Sequence, residues 1–145
     1  MKISTRGRNA IKLMLDLATY DNGEPIKLRD IARRQNISEK YLEQIVSVLQ
    51  KASLVKSFKG AKGGYTLQYA PEKYTVGYIL KTVEGDMTPV DCVGENGSIC
   101  ENCSTCVSHR LWDMLYSAMN DVLEKITLAD MLEWQNELMA DQYVI

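Results

Sequence analysis

Around residue 53 the hydrophobic pattern of this chain changes period, and that change restricts its fold more than any other feature. Upstream, apolar residues recur at helical spacing; directly downstream they alternate. Lys27 to Gln35 carries Leu28, Ile31 and Ala32 on one side, and the segment from about Glu39 to Ala52 aligns Leu42, Ile45, Leu49 and Ala52. Between them Asn36 suits the left-handed position that closes a helix, and Ser38 suits the cap of the next. So short a joint is the spacing of a helix-turn-helix, and the small Ala32 lets the two helices cross closely. Val55-Lys56-Ser57-Phe58-Lys59 and Tyr65-Thr66-Leu67-Gln68-Tyr69 then read as strands around a flexible basic tip, Gly60-Ala61-Lys62-Gly63-Gly64. The tip has neither the spacing of a phosphate-binding P-loop nor a helix behind it. A helix-turn-helix followed at once by a basic hairpin is a winged helix.

The remaining segments are helical. Ser4 or Thr5 caps a first helix reaching about Tyr20, with Ile11, Met14, Leu15 and Ala18 as its stripe and Ala10, Leu13 and Leu17 widening it. Asn22-Gly23-Glu24-Pro25 is a turn. Thr75 caps a short helix ending at Glu84-Gly85, residues 86–105 form a polar loop, and a long helix runs from about Val107 to Ile126. Along it Trp112, Leu115, Met119, Val122 and Ile126 step by 3, 4, 3 and 4, a coiled-coil seam. A helix this long at the end of a small domain needs a second chain to cover it, so a homodimer is expected along those residues. Thr127-Leu128-Ala129-Asp130 opens a last helix with a capping-box pattern. The expected fold is mainly α with a small β-hairpin wing, a winged helix-turn-helix plus a long C-terminal dimerisation helix. Residues 1–85 would bind DNA, 86–106 would form a metal or cluster loop, and 107–145 would dimerise.

Charge supports that division. Residues 1–65 hold 13 Lys and Arg against 6 Asp and Glu, whereas residues 66–145 hold 4 against 13. A basic half joined to an acidic half suits a polyanion-binding module attached to something that stays off the polyanion. No run approaches the roughly 18 apolar residues of a membrane span, and the basic start lacks an apolar signal core with a cleavage site. The expected place is the cytoplasm, where reducing conditions disfavour disulfides. No acid–base pair or nucleophile constellation marks an enzyme.

That compartment bears on the four cysteines, Cys92, Cys100, Cys103 and Cys106, which fall within fifteen residues and precede the only histidine, His109. Such concentration in a reduced protein signals metal or cluster binding ahead of redox thiols. Thiolates with one imidazole suit both zinc and iron–sulfur clusters. The run Cys100-x2-Cys103-x2-Cys106 is similar to the bacterial ferredoxin run without its final Cys-Pro.

The chain resembles, across essentially its whole length, the Rrf-two (IscR-like) family of bacterial winged-helix regulators. The resemblance is carried by Lys2-Ile3-Ser4-Thr5-Arg6-Gly7-Arg8, by Ser38-Glu39-Lys40-Tyr41-Leu42-Glu43-Gln44-Ile45 and by Lys59-Gly60-Ala61-Lys62-Gly63-Gly64-Tyr65. Val83-Glu84-Gly85, the pair Cys106 and Trp112, and Thr127-Leu128-Ala129-Asp130 complete it. It implies homodimers on palindromic double-stranded operators, with the long helix as the dimer element. It also implies sensing of iron–sulfur status, nitric oxide, redox state or cysteine supply, with iron–sulfur assembly genes as targets and assembly proteins as partners. For the cysteine loop it implies a 2Fe-2S cluster on Cys92, Cys100, Cys106 and His109, with the first gap two residues longer than in the family pattern and Cys103 as the departure. A 4Fe-4S cluster, an all-cysteine site with Cys103 and His109 idle, and zinc stay open.

In a helix-turn-helix the residues near the start of the second helix face base edges. Here they are Ser38, Glu39, Lys40, Glu43 and Gln44, and the resemblance points to Glu43 and Gln44 as readers. Glu accepts from cytosine N4 and Gln pairs with adenine. Tyr41 either reaches a phosphate or packs. Lys59 and Lys62 on the wing suit phosphates or the minor groove, and Arg6 and Arg8 suit the backbone.

Overall fold

Three hydroxyl side chains set where helices begin. Ser4, Ser38 and Thr75 accept from the N–H groups of Gly7, Tyr41 and Tyr78 at 3.0, 3.1 and 3.0 Å, each such cap stabilising its helix by about 1 kcal/mol. The computed structural model describes residues 2–97 and 100–143. Residue 1 of the expected DNA-binding segment, residues 98 and 99 of the cysteine loop and residues 144 and 145 of the dimerisation segment lie outside the described residues. The elements run α1 (Thr5–Thr19), α2 (Leu28–Gln35), α3 (Glu39–Lys51), β1 (Val55–Phe58), β2 (Gly64–Leu67), a 3-10 turn (Pro71–Lys73), α4 (Val76–Glu84), α5 (Val107–Lys125) and α6 (Leu128–Tyr143). Asn36 takes the left-handed conformation between α2 and α3, φ 53° and ψ 50°, and its N–H closes α2 on the Ala32 and Arg33 carbonyls. At α6, Thr127 N–H donates to Asp130 Oδ2 (2.8 Å) and Asp130 N–H to Thr127 Oγ1 (3.2 Å), the reciprocal capping box expected there.

β1 and β2 pair antiparallel from Val55 opposite Leu67 to Phe58 opposite Gly64. The hairpin is tied to the segment before α2: Ile26 N–H donates to the Tyr65 carbonyl and Tyr65 N–H to the Ile26 carbonyl, at 2.9 and 2.8 Å. A Cβ on Gly64 would collide with the Ile26 backbone, so glycine there is what allows the approach.

The core gathers Leu13, Met14 and Leu17 of α1, Ile31 of α2, Leu42, Ile45 and Leu49 of α3, Leu54, Tyr74, Ile79 of α4 and Leu128 of α6. In α1 the inward stripe centres on Ala10, Leu13, Met14 and Leu17, with Ile11, Leu15 and Ala18 only partly buried beside it. Ala52 does not enter the core as expected. α3 ends at Lys51, Ala52 becomes an exposed cap, and Ser53 turns with φ 62° so that Leu54 is buried instead. Leu128 places the start of α6 in the same core as the helix-turn-helix, and Gln135 on α6 donates to Thr19 Oγ1 of α1 at 3.1 Å.

Tyr74 is fully buried; its hydroxyl donates to the Leu54 carbonyl (2.6 Å) and accepts from Tyr69 N–H (2.9 Å). Burial pushes the phenol pKa up, opposed by the backbone N–H groups of Tyr69 and Gln68. Tyr74→Phe removes the acceptor of the Tyr69 N–H and one of two donors to the Leu54 carbonyl, which keeps the Gln68 N–H at 3.1 Å, and a loss of about 1–2 kcal/mol in urea unfolding is expected. A change below about 0.5 kcal/mol, the size of a surface substitution, would refute that role.

Candidate nucleic-acid interface and cysteine loop

α3 has two faces. Leu42, Ile45, Val46 and Leu49 are buried beneath it, while Ser38, Glu39, Lys40, Glu43 and Gln44 stand exposed at its start. The hydroxyl of Ser38 is engaged as the α3 cap. Tyr41 is half-buried against the core, so its ring packs. Lys59 and Lys62 are exposed on the wing, and Arg6 and Arg8 are exposed at the start of α1, where Arg8 Nη2 donates to Thr5 Oγ1 at 3.3 Å.

A groove of about 580 Å³ runs between the starts of α2 and α3 and the wing, lined among others by Lys27, Arg29, Glu39 and Lys59. Lys27 and Arg29 are exposed there and add positive charge beside the expected readers. Neither stands among the residues expected to meet DNA, which within the motif lie on the second helix and not the first. The signal available was their place at the opening of α2, beside the wing that Ile26 anchors.

α2 is tied to α1 by an ion pair between half-buried Arg34 and buried Asp16. Arg34 Nη2 and Nε donate to Asp16 Oδ1 and Oδ2 at 2.6 and 3.1 Å, and Gln35 Nε2 donates to Oδ2 at 2.9 Å. The Arg34 guanidinium also lies over the Tyr20 ring, 4.0 Å from its centre. The bond to Asp16 raises the Arg34 pKa further above its ordinary high value.

The five metal-ligand candidates fall into two groups. All four cysteines are free thiols, with Cys100 exposed and the others half-buried. Cys103 N–H donates to the Cys100 carbonyl at 3.1 Å, closing a turn. Partial burial pushes the Cys103 thiol up, partly offset by that turn, and the neighbouring thiols of Cys100 and Cys92 act in the same upward direction. Cys106 belongs to the second group. It is the N-cap of α5, with φ −82° and ψ 106°, so it precedes the first helical residue, Val107. His109 N–H still reaches the Cys106 carbonyl at 3.2 Å. The Ser108 hydroxyl, 3.6 Å from Cys106 Sγ, and next the His109 N–H lower the Cys106 thiol pKa.

Among the described residues no three His, Cys, Asp or Glu side chains converge closely enough to hold a metal ion. The donor chemistry nonetheless fits one. His109 Nδ1 is buried with no hydrogen-bond partner, a costly state for a ring nitrogen and one that ligation relieves. Soft thiolates with one imidazole are the donor set of zinc and of iron–sulfur clusters.

On α5 the structure turns Met119 toward its own chain, where it lines a cavity of about 170 Å³ with Ile3, Glu84 and Met87. Trp112, Leu115 and Ile126 are half-buried. The open apolar side is Leu111, Met114 and Val122, at 56%, 62% and 55% exposure, with Val107 at the start of the helix. The exposed stripe is therefore rotated from the expected seam and shares Val122 with it. The inner side of α5 is taken by α4, where Lys81 Nζ pairs with Glu124 Oε1 at 2.7 Å.

No helix among the described residues is long and apolar enough to cross a membrane. Residues 3–134 match the Rrf2 family, described as iron-dependent transcriptional regulators. The chain is 38% identical over 132 residues to the HTH-type transcriptional regulator IscR of Aliivibrio salmonicida, covering 91% of this chain and 77% of that one. It superposes on CymR, the global cysteine regulator of Bacillus subtilis, with a TM-score of 0.78 and 38% identity over 92% of this chain and 98% of that one. T. potens IscR gives the same TM-score and identity over 95% of this chain and 90% of its own. These are regulators and not enzymes. The helix-turn-helix with its hairpin, the basic groove beside α3 and the match over most of the sequence agree: this chain belongs to the Rrf2 family of winged-helix, DNA-binding transcriptional regulators.

Proposed function

We propose that this chain is a homodimeric cytoplasmic transcription regulator that senses iron–sulfur status through a 2Fe-2S cluster on Cys92, Cys100, Cys106 and His109, and that iron–sulfur assembly genes are its targets. The observation that carries the reading is the unpartnered, buried Nδ1 of His109, three residues after the α5 cap Cys106 and next in sequence to a loop holding three further thiols. When bound, such a cluster supplies bonds that respond to iron supply and oxidant. Cys92 and Cys100 anchor the loop end, and Cys106 and His109 anchor the start of α5, so ligation by these residues draws the loop onto the helix. His109 is the weak member of the set, since an imidazole competes with protons and binds less tightly than thiolate. On DNA, Glu43 and Gln44 read base edges from α3, while Lys59, Lys62, Arg6 and Arg8 neutralise phosphates. The two protomers meet half-sites about one helical turn apart.

A second reading has its own support. The chain is as similar to the cysteine regulator CymR as to T. potens IscR, 38% identical with a TM-score of 0.78 in both cases. A regulator of cysteine metabolism would leave the thiols without a metal.

Purification without oxygen, followed by visible absorption, iron and sulfide analysis, decides between them. Wild type is expected to be coloured with iron and sulfide in equal amounts. Cys92→Ala, Cys100→Ala and Cys106→Ala are expected colourless, His109→Ala loosely loaded, and Cys103→Ala coloured. A colourless Cys103→Ala beside a normal His109→Ala would make the site all-cysteine. Zinc without sulfide would replace the cluster, and a metal-free wild type would favour the cysteine-regulator reading.

A further inference from the structure

The last residue of α4 reaches back across the fold to the first residues of α1. Glu84 Oε1 accepts from Ser4 N–H at 2.8 Å and also from the Ser4 hydroxyl, whose oxygen in turn accepts from Gly7 N–H at 3.0 Å. The cap of α1 is therefore built on a carboxylate eighty residues away in sequence. Gly7 is buried, and a Cβ on it would run into the Glu84 carboxylate. Glycine leaves room for the carboxylate at this point, and a Cβ would push the Glu84 side chain aside. A carboxylate at a helix N-terminus is also favoured by the helix dipole.

Both exposed arginines of this region sit on the turn that Glu84 grips, Arg6 and Arg8 flanking Gly7. On the other side, Gly85 ends α4 and the chain continues into the cysteine loop. α4 is also gripped from α5, at its cap residue and along its length. Glu124 accepts from Lys81 Nζ at 2.7 Å and from Thr75 Oγ1 at 3.2 Å. A Cβ on Gly77 would again meet that carboxylate, at 2.5 Å. α4 is thus a strut bolted by one glutamate to α5 and by another to the start of α1.

We propose that Glu84 is a positioning residue for DNA binding, holding the α1 start so that Arg6 and Arg8 meet the phosphate backbone. The inference rests on the reading that those arginines contact phosphates. Its sign separates it from simple electrostatics. Glu84 is a negative charge near the DNA-facing surface, so losing it would tighten binding to a polyanion if charge alone mattered. Loss of position works the other way.

The experiment uses the full chain and a duplex selected by the wild-type protein from a random-sequence pool, titrated over a range of salt concentrations. Glu84→Ala and Gly7→Ala are expected to weaken binding on the order of tenfold, the equivalent of one or two charge-assisted contacts. Their salt slopes should fall by about one to two units, as for the Arg6→Ala/Arg8→Ala double variant, with base preference unchanged. A merely structural role would lower the unfolding midpoint and leave the salt slope alone. Should Glu84→Ala fail to fold, Glu84→Met keeps the length of the side chain with no acceptor for Ser4, and binding weaker than wild type is expected of it. Wild-type or tighter binding by the folded Glu84 variants, with the arginine variant weakened, overturns the inference. An arginine variant with an unchanged slope overturns instead the reading that α1 touches phosphates.

Discussion

Arg34→Ala is expected to cost the fold about 3–5 kcal/mol, because it strands a charge and does not merely delete a contact. The Asp16 side chain is 0% exposed and Arg34 24%. With Arg34 gone, the carboxylate keeps only the Gln35 amide as a side-chain donor. A domain of this size is stable by about 5–15 kcal/mol in all, so such a loss leaves little margin. Urea unfolding monitored by circular dichroism measures it. A cost under about 1 kcal/mol, typical of an exposed pair, would show that water reaches Asp16 once the arginine is removed. Replacing both partners, Asp16→Leu with Arg34→Met, should cost much less than Arg34→Ala, since neither charge is then left alone. The effect on DNA binding follows the same bond: Arg34 is on α2 and Asp16 on α1, so loosening them frees the helix on which α3 is set.

Why some of this was legible in the sequence and some was not depends on the range over which each signal acts. Asn36 and Ser38 announce the helix-turn-helix joint because a left-handed closure and a hydroxyl cap are decided within one turn of chain. The capping box of Thr127 and Asp130 and the hairpin around its glycine-rich tip are local in the same way. Asp16 with Arg34, Glu84 with Gly7 and Tyr74 with Leu54 are pairs of distant residues, and no periodicity marks which carboxylate or tyrosine will find a partner. Ala52 misled because a helical period extends on paper beyond the residue where the helix stops, whereas Leu54 is carried inward by a turn at Ser53. The cysteine loop is legible as chemistry only. Spacing identifies five donors, but their convergence is a matter of loop geometry, and here Cys103 shares its surroundings with Cys92 and Cys100 while Cys106 turns to Ser108. On α5, the 3–4 stepping marks apolar residues without saying which are spent on α4 and the N-terminal segment. The structure leaves Leu111, Met114 and Val122 open and gives Met119 to its own chain.

That difference predicts which substitutions would separate the protomers of the proposed homodimer. Leu111→Glu combined with Val122→Glu is expected to give a folded monomer whose operator affinity drops by about 10²–10⁴-fold. Both side chains are more than half exposed, at 56% and 55%, so the charges meet water in the single chain and a partner helix only in a dimer. The loss is large because a linked pair of half-site contacts makes the second one intramolecular, and a monomer forfeits that gain without losing any contact of its own. Affinity for an isolated half-site should stay near wild type, which separates dimer loss from damage to α3. Met119→Glu is the contrasting variant. It places a charge in the cavity with Ile3 and Glu84, so it should lower thermal stability before it changes association. Sedimentation velocity at micromolar protein, with titrations of full and half operators, distinguishes the cases. A Leu111/Val122 variant that still sediments as a dimer would move the interface off this face of α5, toward the inner residues that the heptad stepping alone selects.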